Sequence, residues 1–228
     1  VKIISYLKRI ALFVVSFILY ELLMTSYIIP KSLNSHKEVL GKYHFVLYVA
    51  TIALVMLVYH IYKKQLEQEN EWHFNEKPHF KWSKLGYSGL AFVVMIAAQV
   101  LINILLSTSS NSANQKAIDQ LAKGTDWHFI VFIIFLAPMF EEIILRGQFF
   151  NIAFTKETKL NYWLGIIVNG LFFAWLHDPT FSIHIFTYWV MGAILAATYM
   201  NTKDLRYSFV THMLNNTIAA LPLILGMH

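Results

Sequence analysis

The sequence predicts an all-α protein, a polytopic membrane helix bundle of about seven transmembrane helices. Two observations carry this expectation. The 228 residues are 57% hydrophobic and only 14% charged, against about 25% charged residues in an average soluble chain, and the mean hydropathy is +0.52. The apolar residues also fall into seven runs, near 10–29, 43–62, 87–106, 128–150, 161–177, 181–200 and 207–226. Each approaches the ~20 residues that cross a bilayer, once tilt is allowed. An eighth helix or a re-entrant segment is compatible with the same pattern. The length suits one integral membrane domain over residues 1–228.

The first run follows Lys2, Lys8 and Arg9, as in a signal peptide. It is longer than a secretory h-region of roughly 7–15 residues, and no small-residue cleavage site follows it; it reads as a retained first transmembrane helix. After the second run, "KKQLEQENEWHFNEKPHFKWSKLG" at 63–86 reads as an aqueous linker that can hold an interfacial helix, with Trp72, Phe80 and Trp82 as headgroup anchors. In the third run Gln99 and Asn103 share a face and read as helix–helix contacts. "STSSNSANQK" at 107–116 reads as a polar loop. The fourth run contains Pro138, which removes a backbone hydrogen bond and is expected to kink the helix just before Glu141 and Glu142. The fifth ends at His177, with Asp178-Pro179 as a stop. In the sixth, Gly192 with Ala196 and Ala193 with Ala197 form small-residue seams suited to close helix packing, and His184 reads as structural or interfacial. The seventh carries His212 and Asn216.

Charge sets the expected orientation. With the N-terminus inside, the cytoplasmic segments hold thirteen Lys and Arg residues and the outer loops five, namely Lys31, Lys37, Lys42, Lys116 and Lys123. The positive-inside rule then places the N-terminus in the cytoplasm and the C-terminus outside. The same distribution accounts for the net charge of +5: basic residues flank apolar runs instead of forming one patch, so the expected partner is the lipid bilayer and not nucleic acid. The absence of cysteine excludes disulfides and thiolate metal ligands. Fifteen of the eighteen basic residues are Lys, a bias that fits an AT-rich bacterial genome and a bacterial cell membrane.

Charged side chains inside a bilayer cost about 2.5–3.5 kcal/mol on insertion scales and face a protein interior or a water-filled cavity. Glu21, Glu141 and Glu142 are the acids well inside the apolar runs. On a helix, Glu142 and Arg146 are four apart and positioned to pair, where arginine can hold a carboxylate in a bidentate fork. Glu141 points about 100° away and lacks that partner, as a general base requires. A purely structural network fixing helix packing is the competing reading of this triplet. Phe173 with His177, and His212 with Asn216, repeat the four-residue spacing in the fifth and seventh runs. A carboxylate, two histidines and an amide are the parts needed to activate water and stabilise an oxyanion, with or without a metal. In a flat topology His177 lies near the outer end of its run while Glu141 and His212 lie nearer the inner half, so convergence requires tilt.

"EEIILR", "FAWLH" and "HMLNN" resemble the EExxxR, FxxxH and HxxxN motifs of the CPBP family, the type II CAAX prenyl proteases (Rce1-like) and bacterial Abi-type intramembrane proteases. They occur in the family's order on successive hydrophobic segments and define a motif-bearing core at 128–220. Leu145 departs from the pattern, where an aromatic commonly precedes the arginine. By this resemblance, Glu141 would activate the hydrolytic water with His177, and His212 and Asn216 would stabilise the oxyanion or complete a metal site. Glu142 and Arg146 would support the geometry. A divalent metal such as zinc, if held, would be held by Glu141, His177 and His212; the chain has no HExxH pattern that demands one.

The function implied is an intramembrane endopeptidase acting on a membrane-associated peptide or protein, as in bacterial peptide processing or bacteriocin self-immunity. The alternatives are a non-catalytic membrane scaffold or immunity protein, and a proton-coupled small transporter. The last is disfavoured because no internal repeat is visible.

Overall fold

A computed structural model describes residues 2–28, 37–76, 80–106, 112–122 and 127–225. Residues 107–111 of the polar stretch, and Lys31, Lys77 and Lys123 of the charge count, lie outside the described residues. Among the described residues the chain forms eight helices and no strand: α1 Lys2–Ser26, α2 Lys37–Gln68, α3 Trp82–Leu105, α4 Ala113–Ala122, α5 Trp127–Ala153, α6 Lys159–His177, α7 Ile185–Thr202 and α8 Leu205–Ile224. The all-α polytopic bundle is borne out.

The number of spans is not. Five helices (α1, α2, α3, α5 and α6) are long and apolar enough to cross a membrane by length and composition. The two remaining long helices, α7 and α8, have 18 and 20 residues, about 27–30 Å at 1.5 Å per residue, but are less apolar. Both pack against α3 and against each other, and α7 also lies along α6. Their enclosed faces therefore carry polar side chains, among them Thr198, Thr202, Ser208, Thr211 and His212, all buried. A helix screened from lipid by its neighbours has no need of an apolar circumference.

α5 is the central element. In its most apolar window 56% of residues are buried, against 17% in α1 and in α3. Phe132, Phe140, Ile144, Leu145 and Phe150 all point into the interior. α1 and α2 pack along α5 on one side, and their outward faces expose large apolar side chains such as Val46, Val49, Ile52 and Met56, the belt that lipid covers. Gly170 in α6 and Gly192 in α7 let those helices approach closely. A Cβ added at Gly170 would lie 2.9 Å from both Ala193 N and Trp189 O, and one at Gly192 would lie 2.7 Å from Phe173 Cβ. The predicted seam at Gly192 thus faces α6.

Two linker readings are corrected. Residues 113–122 of the supposed polar stretch and beyond form helix α4. Trp72 is no headgroup anchor: it is buried, its ring faces Phe74 at 6.1 Å, and its indole N–H donates to Phe154 O at 2.6 Å. That bond, the Lys156–Glu71 ion pair and the Lys203–Glu157 pair (3.4 Å) gather the segments after α2, α5 and α7 at one end of the bundle. Phe80 and Trp82 are exposed, in keeping with the anchor reading.

Candidate active site

The site is assembled where α5 departs from α-helical geometry. Pro138 has no N–H to donate, and its ring would crowd the carbonyl four residues back in a regular helix. A π-turn over Phe132–Leu136 absorbs this, with Ala137 N–H reaching back to Phe132 O. A second π-turn, Glu142–Gln148, begins immediately after Glu141. Each wide turn lodges an extra residue and re-aims the side chains beyond it.

Glu142 and Arg146 form an ion pair, Nη1 to Oε1 at 3.2 Å, and both are essentially excluded from solvent. The predicted pairing holds, but not as a bidentate fork. Glu142 Oε1 is shared, because His212 Nδ1 lies 2.9 Å away. Arg146 instead donates from Nη2 to Gly192 O at 3.3 Å and lies over the Phe173 ring at 4.8 Å. The same ring stacks on His177 at 4.1 Å and meets His212 edge-on at 5.8 Å. Phe173 therefore spaces three polar groups with one apolar surface, a function that four-residue spacing alone does not announce.

The partners of the imidazoles assign their tautomers. His212 donates Nδ1–H to Glu142, and His177 donates Nδ1–H to Phe173 O at 2.9 Å. In the neutral ring, each then has its lone pair on Nε2. Both Nε2 atoms face Glu141 Oε2, at 3.9 Å from His177 and 3.7 Å from His212. Glu141 Oε1 accepts a hydrogen bond from Tyr20 Oη of α1 at 2.9 Å, while Oε2 is buried without a hydrogen-bond partner. With both rings neutral, three acceptor atoms converge here with no donor among them. The separation along the chain that a flat topology implied is overcome.

These atoms lie on the wall of a cavity of about 510 Å³, lined also by Glu21, Gln99 and Asn216. Asn216 donates from Nδ2 to Ile133 O at 2.9 Å, a carbonyl within the first π-turn. Gln99 donates to Asn215 Oδ1 at 2.8 Å and so links α3 to α8, as its helix–helix reading predicts. His184 lines the same cavity. Beyond the end of α6, burial opposes ionisation of Asp178, but the hydroxyls of Ser182 (2.6 Å) and Thr180 (2.8 Å) outweigh it and hold its carboxyl below the usual range. This fixes the turn that positions His177. Tyr20 was absent from the sequence expectations; a tyrosine in an apolar run carries no local signal of its partner.

The donor set of two imidazole nitrogens and a carboxylate suits zinc chemically. The spacing does not. Bonds of about 2.0–2.1 Å in a tetrahedral shell place ligand atoms about 3.3 Å apart, nearer than the 3.7 and 3.9 Å observed. Among the described residues no three His, Asp or Glu side chains are grouped closely enough to hold an ion.

Residues 123–218 match the family model of the type II CAAX prenyl endopeptidases, Rce1-like. Over this segment the chain is similar to the CPBP family. The matched segment contains all three motifs. Among curated proteins, the chain is similar to the membrane-embedded CAAX protease MroQ of Staphylococcus aureus, 25% identical over 175 residues that cover 75% of the chain and 69% of MroQ. It is also similar to an uncharacterized protein of Mycoplasma capricolum, 29% identical over 44% of the chain and 29% of that protein. The UPF0177 protein YvdC of Lactococcus lactis is 24% identical over 58% of the chain, which spans about half of YvdC. No solved structure matches the chain significantly.

Proposed function

We propose that this protein is an intramembrane endopeptidase that hydrolyses a peptide bond of a membrane-associated peptide or protein with a water activated by Glu141. The observation that supports it most is the convergence of Glu141 Oε2 with the Nε2 atoms of His177 and His212 on a cavity wall. Across gaps of 3.7–3.9 Å between acceptors, one water molecule on the cavity side can reach both the carboxylate and an imidazole at about 2.8 Å.

In this reading Glu141 and His177 hold the water. Glu141 removes a proton as the oxygen attacks the peptide carbonyl carbon. The C–N bond then breaks, and the proton held by Glu141 passes to the departing amine. The negative oxygen formed in between needs donors. His212 supplies one when Nε2 is protonated, a charge that Glu142 at Nδ1 stabilises, and the second amide N–H of Asn216 supplies another. Arg146 and Phe173 keep Glu142 and both imidazoles in place. In a bacterial cell membrane such an activity suits peptide processing or bacteriocin self-immunity.

The test is cleavage of a panel of membrane-associated peptides by the purified protein in proteoliposomes, with and without a chelator. Glu141→Gln and His177→Ala are each expected to lower the rate by about 10²-fold or more, the usual contribution of a positioned base. Full activity in Glu141→Gln would sink the proposal.

A further inference from the structure

The first helix lies outside the segment that matches the family, yet it touches the candidate base. Arg9, Ser16 and Tyr20 lie at helical spacing along one face of α1. Arg9 Nη1 donates to Asn151 O at 2.8 Å. Ser16 Oγ accepts from Gln148 Nε2 at 3.2 Å. Tyr20 Oη donates to Glu141 Oε1 at 2.9 Å. These three contacts climb α5 in reverse chain order, so α1 runs antiparallel to α5 and is pinned to it at three levels. Tyr20 itself is 3% exposed, with its ring 5.4 Å from Phe140, and has little room to swing away.

A carboxylate turns freely about its last bond unless one oxygen is held. Glu141 Oε1 is held, and Oε2 is the atom facing both imidazoles. We propose that Tyr20 is a positioning residue for the reaction: its hydroxyl fixes the rotation of the Glu141 carboxylate so that Oε2 is presented to the water and the scissile carbonyl. This rests on the hydrolytic reading of Glu141, and it makes α1 part of the catalytic unit. In this role Tyr20, which also lines the cavity, transfers no proton.

Tyr20→Phe keeps the ring against Phe140 and removes only the hydroxyl. With the peptide that the wild type cleaves, kcat is expected to fall about 10- to 100-fold, the range for losing a hydrogen bond to a charged group, with KM within twofold and an unchanged unfolding midpoint. Ser16→Ala loosens the same helix pair without touching Glu141 and should retain kcat. A spectroscopic readout needs no substrate. The infrared carboxylate bands assigned to Glu141 by subtracting Glu141→Gln should shift in Tyr20→Phe, because the two oxygens become more alike. An unchanged kcat, an unmoved band, or an equal loss in Ser16→Ala each overturns the proposal. If the wild type cleaves no peptide, the protease reading fails, and the band alone decides whether Tyr20 holds the carboxylate.

Discussion

At the scale of single residues, the two adjacent glutamates have been given different work by their surroundings. Glu142 sits between Arg146 and His212, and Glu141 between Tyr20 and the cavity. Removing the charge of Glu142 leaves Arg146 buried beside a neutral group, a loss of about 3–5 kcal/mol for breaking a buried pair. Glu142→Gln should therefore lower the unfolding midpoint in detergent more than Glu141→Gln does. A double change, Glu142→Leu with Arg146→Met, should recover much of that stability and none of the activity, because His212 then lacks its partner at Nδ1. Equal midpoints for wild type and Glu142→Gln would show that the pair contributes nothing to stability. Much of this was legible in the sequence: Glu142–Arg146 follows from spacing, and Glu141, His177 and His212 follow from being polar in apolar runs. The sharing of Glu142 by His212 was not, since it depends on how α8 is rotated against α5.

At the scale of helices, identical substitutions are expected to act with opposite sign. Alanine is about 1 kcal/mol better than glycine in a helix interior. Gly41 in α2 has open space where a Cβ would go, so Gly41→Ala should be neutral or stabilising. At Gly170 the added carbon meets backbone atoms of α7 at 2.9 Å. Backbone cannot swing aside as a side chain can, and overpacking costs about 1–3 kcal/mol. Gly170→Ala should therefore destabilise, as thermal unfolding of the two variants will show; a stabilised Gly170→Ala variant would mean that α6 and α7 separate at little cost. Helix positions were readable from hydropathy but not all their limits: α5 and α6 agree with predicted runs to within three residues, whereas α1 begins eight residues before its run and α2 extends six beyond its run at each end. The π-turns were not readable, because Pro138 announces a lost hydrogen bond and not the way in which the chain absorbs it.

For the whole molecule, the loops assigned to the cytoplasm by charge meet one another. Lys156 pairs with Glu71 and with Glu69 (3.3 Å), Lys203 with Glu157, and Asn75 N–H donates to Lys203 O at 2.8 Å. Which side of the membrane this end faces is a separate question, and the absence of native cysteine makes it accessible. A single cysteine at Lys203, in the tight turn between α7 and α8, should react with a membrane-impermeant maleimide in inverted vesicles and not in intact cells. Labelling in intact cells would reverse the orientation derived from the positive-inside rule. Hydropathy could place the helices in the membrane but could not rank their burial. α7 and α8 look less like lipid-facing spans because the faces they turn to their neighbours carry buried polar side chains.

The wide turn at Glu142–Gln148 also sets how the chain tolerates changes of length. A turn that lodges one residue more than an α-helix needs can lose that residue and close into regular geometry. Everything downstream would then swing about 100° around the axis, the angle of one helical step. Gln148 would leave Ser16 and Asn151 would leave Arg9, while Glu141, upstream, kept its place. A one-residue deletion here would act as a clutch: the Glu141 carboxylate would stay engaged, and the first helix would be released from the C-terminal half of the fifth.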